Sequence, residues 1–283
     1  MLRPRTVARF VESFPARTPT LPPATHTNAY ALGGREVLLV EPATPYDDER
    51  AAWLGWAEGL RAAGRTLVAL FLTHHHEDHV GGAAFLARAL GLPIWAHAAT
   101  GARVDFPLAR RLEEGEVLDL DGPTPQRWRV HHTPGHAPGH LCLFEESSRV
   151  AVVGDMVASE GTILIAPGEG DMGEYLRQLE RMQTWDASIA LPAHGEAIAH
   201  PNVTFARYVA HRLGRERLVV EAVRAAGAPG ATAETLVATV YADTPPALWP
   251  LALLSLRAHL EKLVKDGTVR DDDARFSLSA GAS

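Results

Sequence analysis

Residues 73–82 read Thr73-His74-His75-His76-Glu77-Asp78-His79-Val80-Gly81-Gly82. Within this stretch His74, His76, Asp78 and His79 offer three imidazole nitrogens and a carboxylate, a donor set that suits zinc and also iron or manganese. The apolar run Leu67–Leu72 before it predicts a buried strand, and AAFLARAL after it, residues 83–90, predicts a helix. The donors are therefore expected on a strand-to-helix loop held rigid by its flanks. His75 should alternate away from His74 and His76 and is not expected to be a ligand. A surface histidine tract would account for three consecutive histidines. It does not account for the interleaved Asp78, the fourth histidine and the Gly-Gly turn together.

One loop cannot close a site, so further donors are sought after other apolar runs. Three stand out. Trp128-Arg129-Val130-His131-His132-Thr133-Pro134-Gly135-His136 ends a strand in a Pro-Gly turn that presents His136. Val150-Ala151-Val152-Val153-Gly154-Asp155 delivers a carboxylate at a strand terminus. Ser188-Ile189-Ala190-Leu191-Pro192-Ala193-His194-Gly195 does the same with an imidazole. Taken singly, each is more simply a solvated loop residue. Together, four polar groups follow four apolar strands that can end at one edge of a fold. Five imidazoles and two carboxylates exceed the needs of one tetrahedral zinc and suit two metals sharing a carboxylate. His140, four residues past His136, either reaches the cleft behind the donors or merely packs.

The composition narrows the class. A chain of 283 residues, 46% hydrophobic, can bury a full core and hold two domains. A formal charge of −7 argues against a protein built mainly to bind nucleic acid. Cys142 is the single cysteine, so no intrachain disulfide forms, and it is read as a core residue. The first twenty residues have no long apolar core and are not read as a secretory signal. No apolar stretch approaches the ~20 residues of a membrane span. The expectation is a soluble, cytoplasmic protein.

The order His74-x-His76-x-Asp78-His79, then His136, Asp155 and His194, resembles the five motifs of the metallo-β-lactamase superfamily. Thr27-Asn28-Ala29-Tyr30 with Leu32-Gly33-Gly34 resembles that family's opening strand. Gly161-Thr162, Gly170-Asp171-Met172, Tyr175-Leu176, His211-Arg212 and Arg215-Glu216 resemble its β-lactamase-like protein 2 group. So do Tyr241, Ala258-His259-Leu260 and Lys262-Leu263 of a winged-helix tail. Glu41, in Val40-Glu41-Pro42-Ala43, departs from the aspartate usual there. The resemblance implies an α/β fold: an αββα metallo-β-lactamase sandwich in residues 1–202 and a small helical, winged-helix-like domain in residues 203–283. It implies two divalent metal ions, zinc first and iron or manganese as alternatives. His74, His76 and His136 would hold one ion and Asp78, His79 and His194 the other, with Asp155 bridging.

Within the tail, residues 203–227 predict a helix bearing Arg207, Arg212, Arg215, Arg217 and Arg224. Thr232 reads as an N-cap, Leu248–Lys265 as an amphipathic helix, and Val269–Arg270 with Arg275–Leu278 as a hairpin. Acidic and basic residues nearly balance there, which favours a cleft wall or a homodimer contact over a duplex reader. The expected activity is metal-dependent hydrolysis with a metal-bridging hydroxide, and Asp78 doubles as ligand and orienting acceptor. The resemblance implies two substrate classes. The favoured one is a small-molecule or carrier-bound carboxyl ester or thioester of the acyl-CoA or acyl carrier protein type. The alternative is single-stranded RNA, with the five arginines as its best phosphate contacts.

Overall fold

The computed structural model describes residues 3–227 and 229–279. Seven strands form the first sheet in chain order: β1 (Arg5–Ala8), β2 (Val11–Arg17), β3 (His26–Leu32), β4 (Glu36–Val40), β5 (Thr66–Phe71), β6 (Ile94–Ala96) and β7 (Arg110–Arg111). β1 to β4 pair antiparallel, and β4 to β7 pair parallel. The second sheet holds β8 (Val117–Leu120), β9 (Gln126–His132), β10 (Leu141–Glu145), β11 (Val150–Gly154) and β12 (Ile189–Pro192), also in chain order. Its strands are antiparallel except for the β11–β12 pair.

Parallel neighbours need crossover connections, and these are helical. α1 (Asp47–Ala62) joins β4 to β5. It begins with Asp47, Asp48 and Glu49 and ends with Arg61, charges that complement the helix dipole. It buries Trp53, Trp56, Ala57 and Leu60, which share one face at i, i+3, i+4 and i+7. After β5 come the one-turn α2 (Glu77–Val80), α3 (Ala83–Leu90) and the short α4 (Ala98–Gly101). α5 (Met172–Gln183) joins β11 to β12, capped by the Asp171 carboxylate accepting from Glu174 N–H.

Three apolar cores follow from this stacking. Trp53, Trp56, Leu60, Leu86 and Leu90 pack α1 and α3 on the outer face of the first sheet. Tyr30, Leu38, Phe71, Trp128, Val130, Leu143 and Val152 fill the space between the sheets. Cys142, Val153, Tyr175, Leu179 and Phe205 pack α5 and the next helix on the second sheet. The order of layers is helix, sheet, sheet, helix. Because β5 and β11 are covered on both faces, their sequences read as unbroken apolar runs.

That next helix is α6 (Pro201–Ala226). Its first half lends Phe205 and Tyr208 to the sandwich, and its second half lends Val219, Ala222 and Val223 to a fourth core. This last core also takes α7 (Ala233–Val240), α8 (Trp249–Lys265) and the hairpin β13 (Val269–Asp272) with β14 (Arg275–Leu278). Thr232 is the N-cap residue of α7 as its sequence suggests, although its side chain makes no capping bond.

Candidate metal centre

The strand ends converge. β5 delivers residues 73–80, the β9–β10 turn delivers His136, β11 delivers Asp155, and β12 delivers His194. Asp78 and His79 lie on α2, so the expected loop contains a helical turn. All seven expected donors come together in two clusters.

In the first cluster, His74 Nε2 lies 2.9 Å from His76 Nδ1 and 3.2 Å from His136 Nε2, and the last two atoms are 3.0 Å apart. In the second, His194 Nε2 lies 3.5 Å from Asp78 Oδ2, and His79 Nε2 lies 3.7 Å from Asp78 Oδ1. Asp155 stands between them. Its Oδ2 is 3.6 Å from His136 Nε2, while its Oδ1 is 3.4 Å from His194 Nε2 and 3.6 Å from His79 Nε2. Asp155 Oδ1 and His79 Nε2 are buried without a hydrogen-bond partner. Buried polar atoms are rarely left so, and a cation at their focus would satisfy them.

Outer contacts set the imidazole tautomers. His136 Nδ1–H donates to Leu164 O at 2.9 Å, and His194 Nδ1–H to His26 O at 3.0 Å. A carbonyl can only accept, so Nε2 of each ring is left free to face the centre. His76 Nε2 meets Glu169 Oε2 at 3.0 Å, which turns Nδ1 inward. Glu41 Oε2 lies 3.2 Å from His79 Nδ1, and its Oε1 accepts from Thr73 N–H. Such outer-shell acceptors recur around metal-binding histidines.

The electrostatics divide the clusters. Burial lowers His74 well below the ordinary histidine range, reinforced by His79 and His76, and it lowers His136 to about 4. Burial also opposes the charged form of His79, yet Glu41, Asp78 and Asp155 raise it well above that range. For Asp155, burial works to raise its carboxyl, and His194 and His79 reverse this to hold it well below the carboxylate range. His74 and His136 of the first cluster are therefore held neutral, and the second cluster is charge-rich.

His140 is fully buried behind Asp155 and does not face the cleft. Its Nε2 accepts from Asp155 N–H at 3.1 Å, and its Nδ1 meets Thr133 Oγ1 at 2.8 Å. His75 stays outside the first cluster, with Nε2 3.2 Å from Glu169 Oε1. Cys142 is in the core, where burial pushes its thiol up to about 12. Accordingly, Cys142→Ala and His75→Ala should both keep full metal content. The folded protein should not react with a thiol reagent at neutral pH, and release of a metal equivalent by either substitution would show that the donor set is misassigned.

Glu41 and Glu169 are the contributors that motif spacing alone does not reveal. Glu41 follows an apolar strand, as Asp155 does, but nothing in Val40-Glu41-Pro42-Ala43 marks its side chain as facing His79. Glu169 lies 93 residues from His76 in an aperiodic segment and carries no signal. The five helix arginines do not form one basic face. Arg212 is 2% exposed, and Arg215 pairs with Asp243 at 3.0 Å and donates to Val240 O. Arg207, Arg217 and Arg224 remain exposed.

Comparison with known proteins identifies the family and the fold. The family model of the metallo-beta-lactamase superfamily matches residues 22–194, and that of the beta-lactamase associated winged helix domain matches residues 232–276. A beta-lactamase-like protein 2 homolog of Drosophila melanogaster is 28% identical over 255 residues, spanning 86% of this chain and 84% of that relative. An atrochrysone carboxyl ACP thioesterase of Aspergillus chevalieri is 30% identical over 228 residues, spanning 77% of this chain and 69% of that relative. The crystal structure of a beta-lactamase domain protein from Burkholderia ambifaria has the same fold, with a TM-score of 0.84 at 22% identity over 98% of this chain and 93% of its own. The chain belongs to the metallo-β-lactamase superfamily, as a metal-dependent hydrolase with a C-terminal winged-helix domain.

Proposed function

We propose that this protein is a dinuclear hydrolase of carboxyl esters or thioesters, of the acyl-CoA or acyl carrier protein type. The carrying observation is the position of Asp155, whose two oxygens face different clusters. His74, His76 and His136 would hold one divalent ion and Asp78, His79 and His194 the other, zinc being suited to this nitrogen-rich set. When bound, such a pair lowers the pKa of water from about 15.7 towards 7 and polarises the scissile carbonyl.

The chain's own groups do the rest. Leu164 O, His26 O and the carboxylates of Glu41 and Glu169 fix the rings. His140 braces the backbone at Asp155. Asp78 is more exposed than Asp155, its side chain 17% accessible against 10%. It is the carboxylate placed to accept a proton from attacking water and to orient its lone pair toward the carbonyl carbon. Asp78→Ala should lower turnover by at least ~10², the lower scale for a positioned catalytic group, while the imidazole triad keeps its ion.

The thioester side is supported by the thioesterase-named relative. Commitment of Arg212 and Arg215 to internal contacts further supports it, because a single-strand RNA groove needs free cations and stacking aromatics. The deciding assay runs a panel of acyl-CoA thioesters beside labelled single-stranded RNA, with metal content measured on the same preparation. Thioester turnover with two metal equivalents supports the reading. RNA cleavage without thioester turnover overturns the substrate assignment, and one equivalent overturns the dinuclear one.

A further inference from the structure

Residues 158–171 connect β11 to the cap of α5 and touch the imidazole rings of the first cluster at two residues. Leu164 O accepts from His136 Nδ1–H, and the Glu169 carboxylate meets His76 Nε2 at 3.0 Å and His75 Nε2 at 3.2 Å. From the other side the same segment is tied to the C-terminal helices. Tyr208 on α6 accepts from Ala158 N–H at 3.0 Å, and its hydroxyl also faces the carbonyls of Ala158 and Gly161 at 3.2 Å. Arg212, one turn on, donates to Ile163 O, the residue before Leu164, and its guanidinium sits 5.6 Å over the Tyr175 ring. Lys265 on α8 pairs with Asp171 at 2.7 Å.

Arg212 is the unusual member of this set. A buried guanidinium is costly, and apolar residues of similar volume usually serve packing as well or better. Here the charge is directed at a backbone carbonyl, and Nε is left without a partner. The Ile163 peptide it holds adjoins the carbonyl that fixes the tautomer of His136. Glu169, at the far end of the segment, does the equivalent for His76. The ring acceptors of the second cluster lie outside the segment, being His26 O on β3 and Glu41 at the end of β4; the segment reaches that cluster only at the His194 backbone, through Ser159 N–H donating to His194 O at 3.3 Å.

We propose that Arg212 and Glu169 are positioning residues of the first imidazole triad. Through residues 158–171, the C-terminal helices hold His136 and His76 in the orientation that triad needs. The tail thus acts on the ring nitrogens of the first cluster, whereas its link to the second reaches only the His194 backbone through Ser159. This rests on the reading of two metal-holding clusters.

The test is metal retention against a graded chelator series on the full-length protein, with the visible spectrum of the cobalt(II)-loaded form as a second readout. Glu169→Gln and Arg212→Met should each weaken one of the two equivalents by about 10-fold or more, the scale for losing an outer-shell partner, and leave the other unchanged. Arg212→Lys, which keeps a donor, should restore most of the loss. In a His76→Ala background, where the triad is already broken, Glu169→Gln should add nothing. Unchanged retention in both variants overturns the proposal. So does equal weakening of both equivalents with a lowered melting temperature, which would mark Arg212 as merely structural. Should Arg212→Met fail to fold, the exposed Glu169→Gln and the charge-keeping Arg212→Lys decide. A wild type that holds only one equivalent refutes the two-metal reading instead, and the inference then stands only if Glu169→Gln weakens that equivalent.

Discussion

Asp155→Ala should cut turnover by roughly 10³, within the range for removing a positioned catalytic group, and should weaken both metal equivalents together. The reason is its double aspect. One oxygen lies 3.6 Å from His136 Nε2, and the other lies 3.4 Å from His194 Nε2. Among the described residues no other carboxylate pairs with imidazoles of both clusters. It also supplies negative charge: Asp155 is among the groups that raise His79 and His194, and those imidazoles in turn hold its own carboxyl low. Without it, two cations would face each other with no shared anion. Asp155→Asn keeps the shape and one accepting oxygen but loses the charge, so one equivalent should persist with little turnover. Metal analysis beside turnover on a confirmed substrate is the check. Two retained equivalents and near wild-type rates in Asp155→Ala would refute the bridging role.

How much of this was readable from sequence depends on the physics at each position. β5, β11 and β12 are visible because a strand covered on both faces is apolar throughout. The donors that follow them are visible because a polar residue straight after such a run has few other uses. Glu41 shows the limit. It sits in the left-handed backbone region with φ of 58°, and the parallel β4–β5 pairing places it under His79. Neither condition leaves a trace in Val-Glu-Pro-Ala. Glu169 is less visible still, since its partner is reached only when the whole segment folds over the first cluster.

The arginines of α6 show a signal that is present in the sequence but easily passed over. Tyr208, Arg212, Arg215 and Val219 lie at i, i+4, i+7 and i+11, one face of a helix, and Tyr208 and Val219 are core residues. Periodicity thus assigns Arg212 and Arg215 inward and Arg207, Arg217 and Arg224 outward, as the structure has them. Helical charge alone suggests five equivalent phosphate contacts. Charge together with spacing separates two buttresses from three surface residues.

Gly135→Ala should destabilise the fold by about 3 kcal/mol or more, the combined scale of overpacking and backbone strain. Gly135 has φ of +128°, a conformation that L side chains rarely adopt. A Cβ there would also stand 2.4 Å from both Cα and N of Tyr175, which are backbone atoms of α5 and cannot swing aside. The turn and the helix are further joined by Asp171 N–H donating to Gly135 O at 2.8 Å. Relief therefore requires α5 to move off the sheet or the turn to move away from α5. Either shift carries His136, the next residue, out of the first cluster, so metal affinity should fall with stability. Gly64→Ala separates the two causes. Gly64 also has a positive φ, +81°, but a Cβ there would meet nothing within 4 Å. Its substitution should cost about 1 kcal/mol of strain alone and leave the metal content intact. Denaturant unfolding of both variants, with metal analysis, reads the difference. If Gly135→Ala proves no more destabilising than Gly64→Ala, the close approach of the turn to α5 does not position His136.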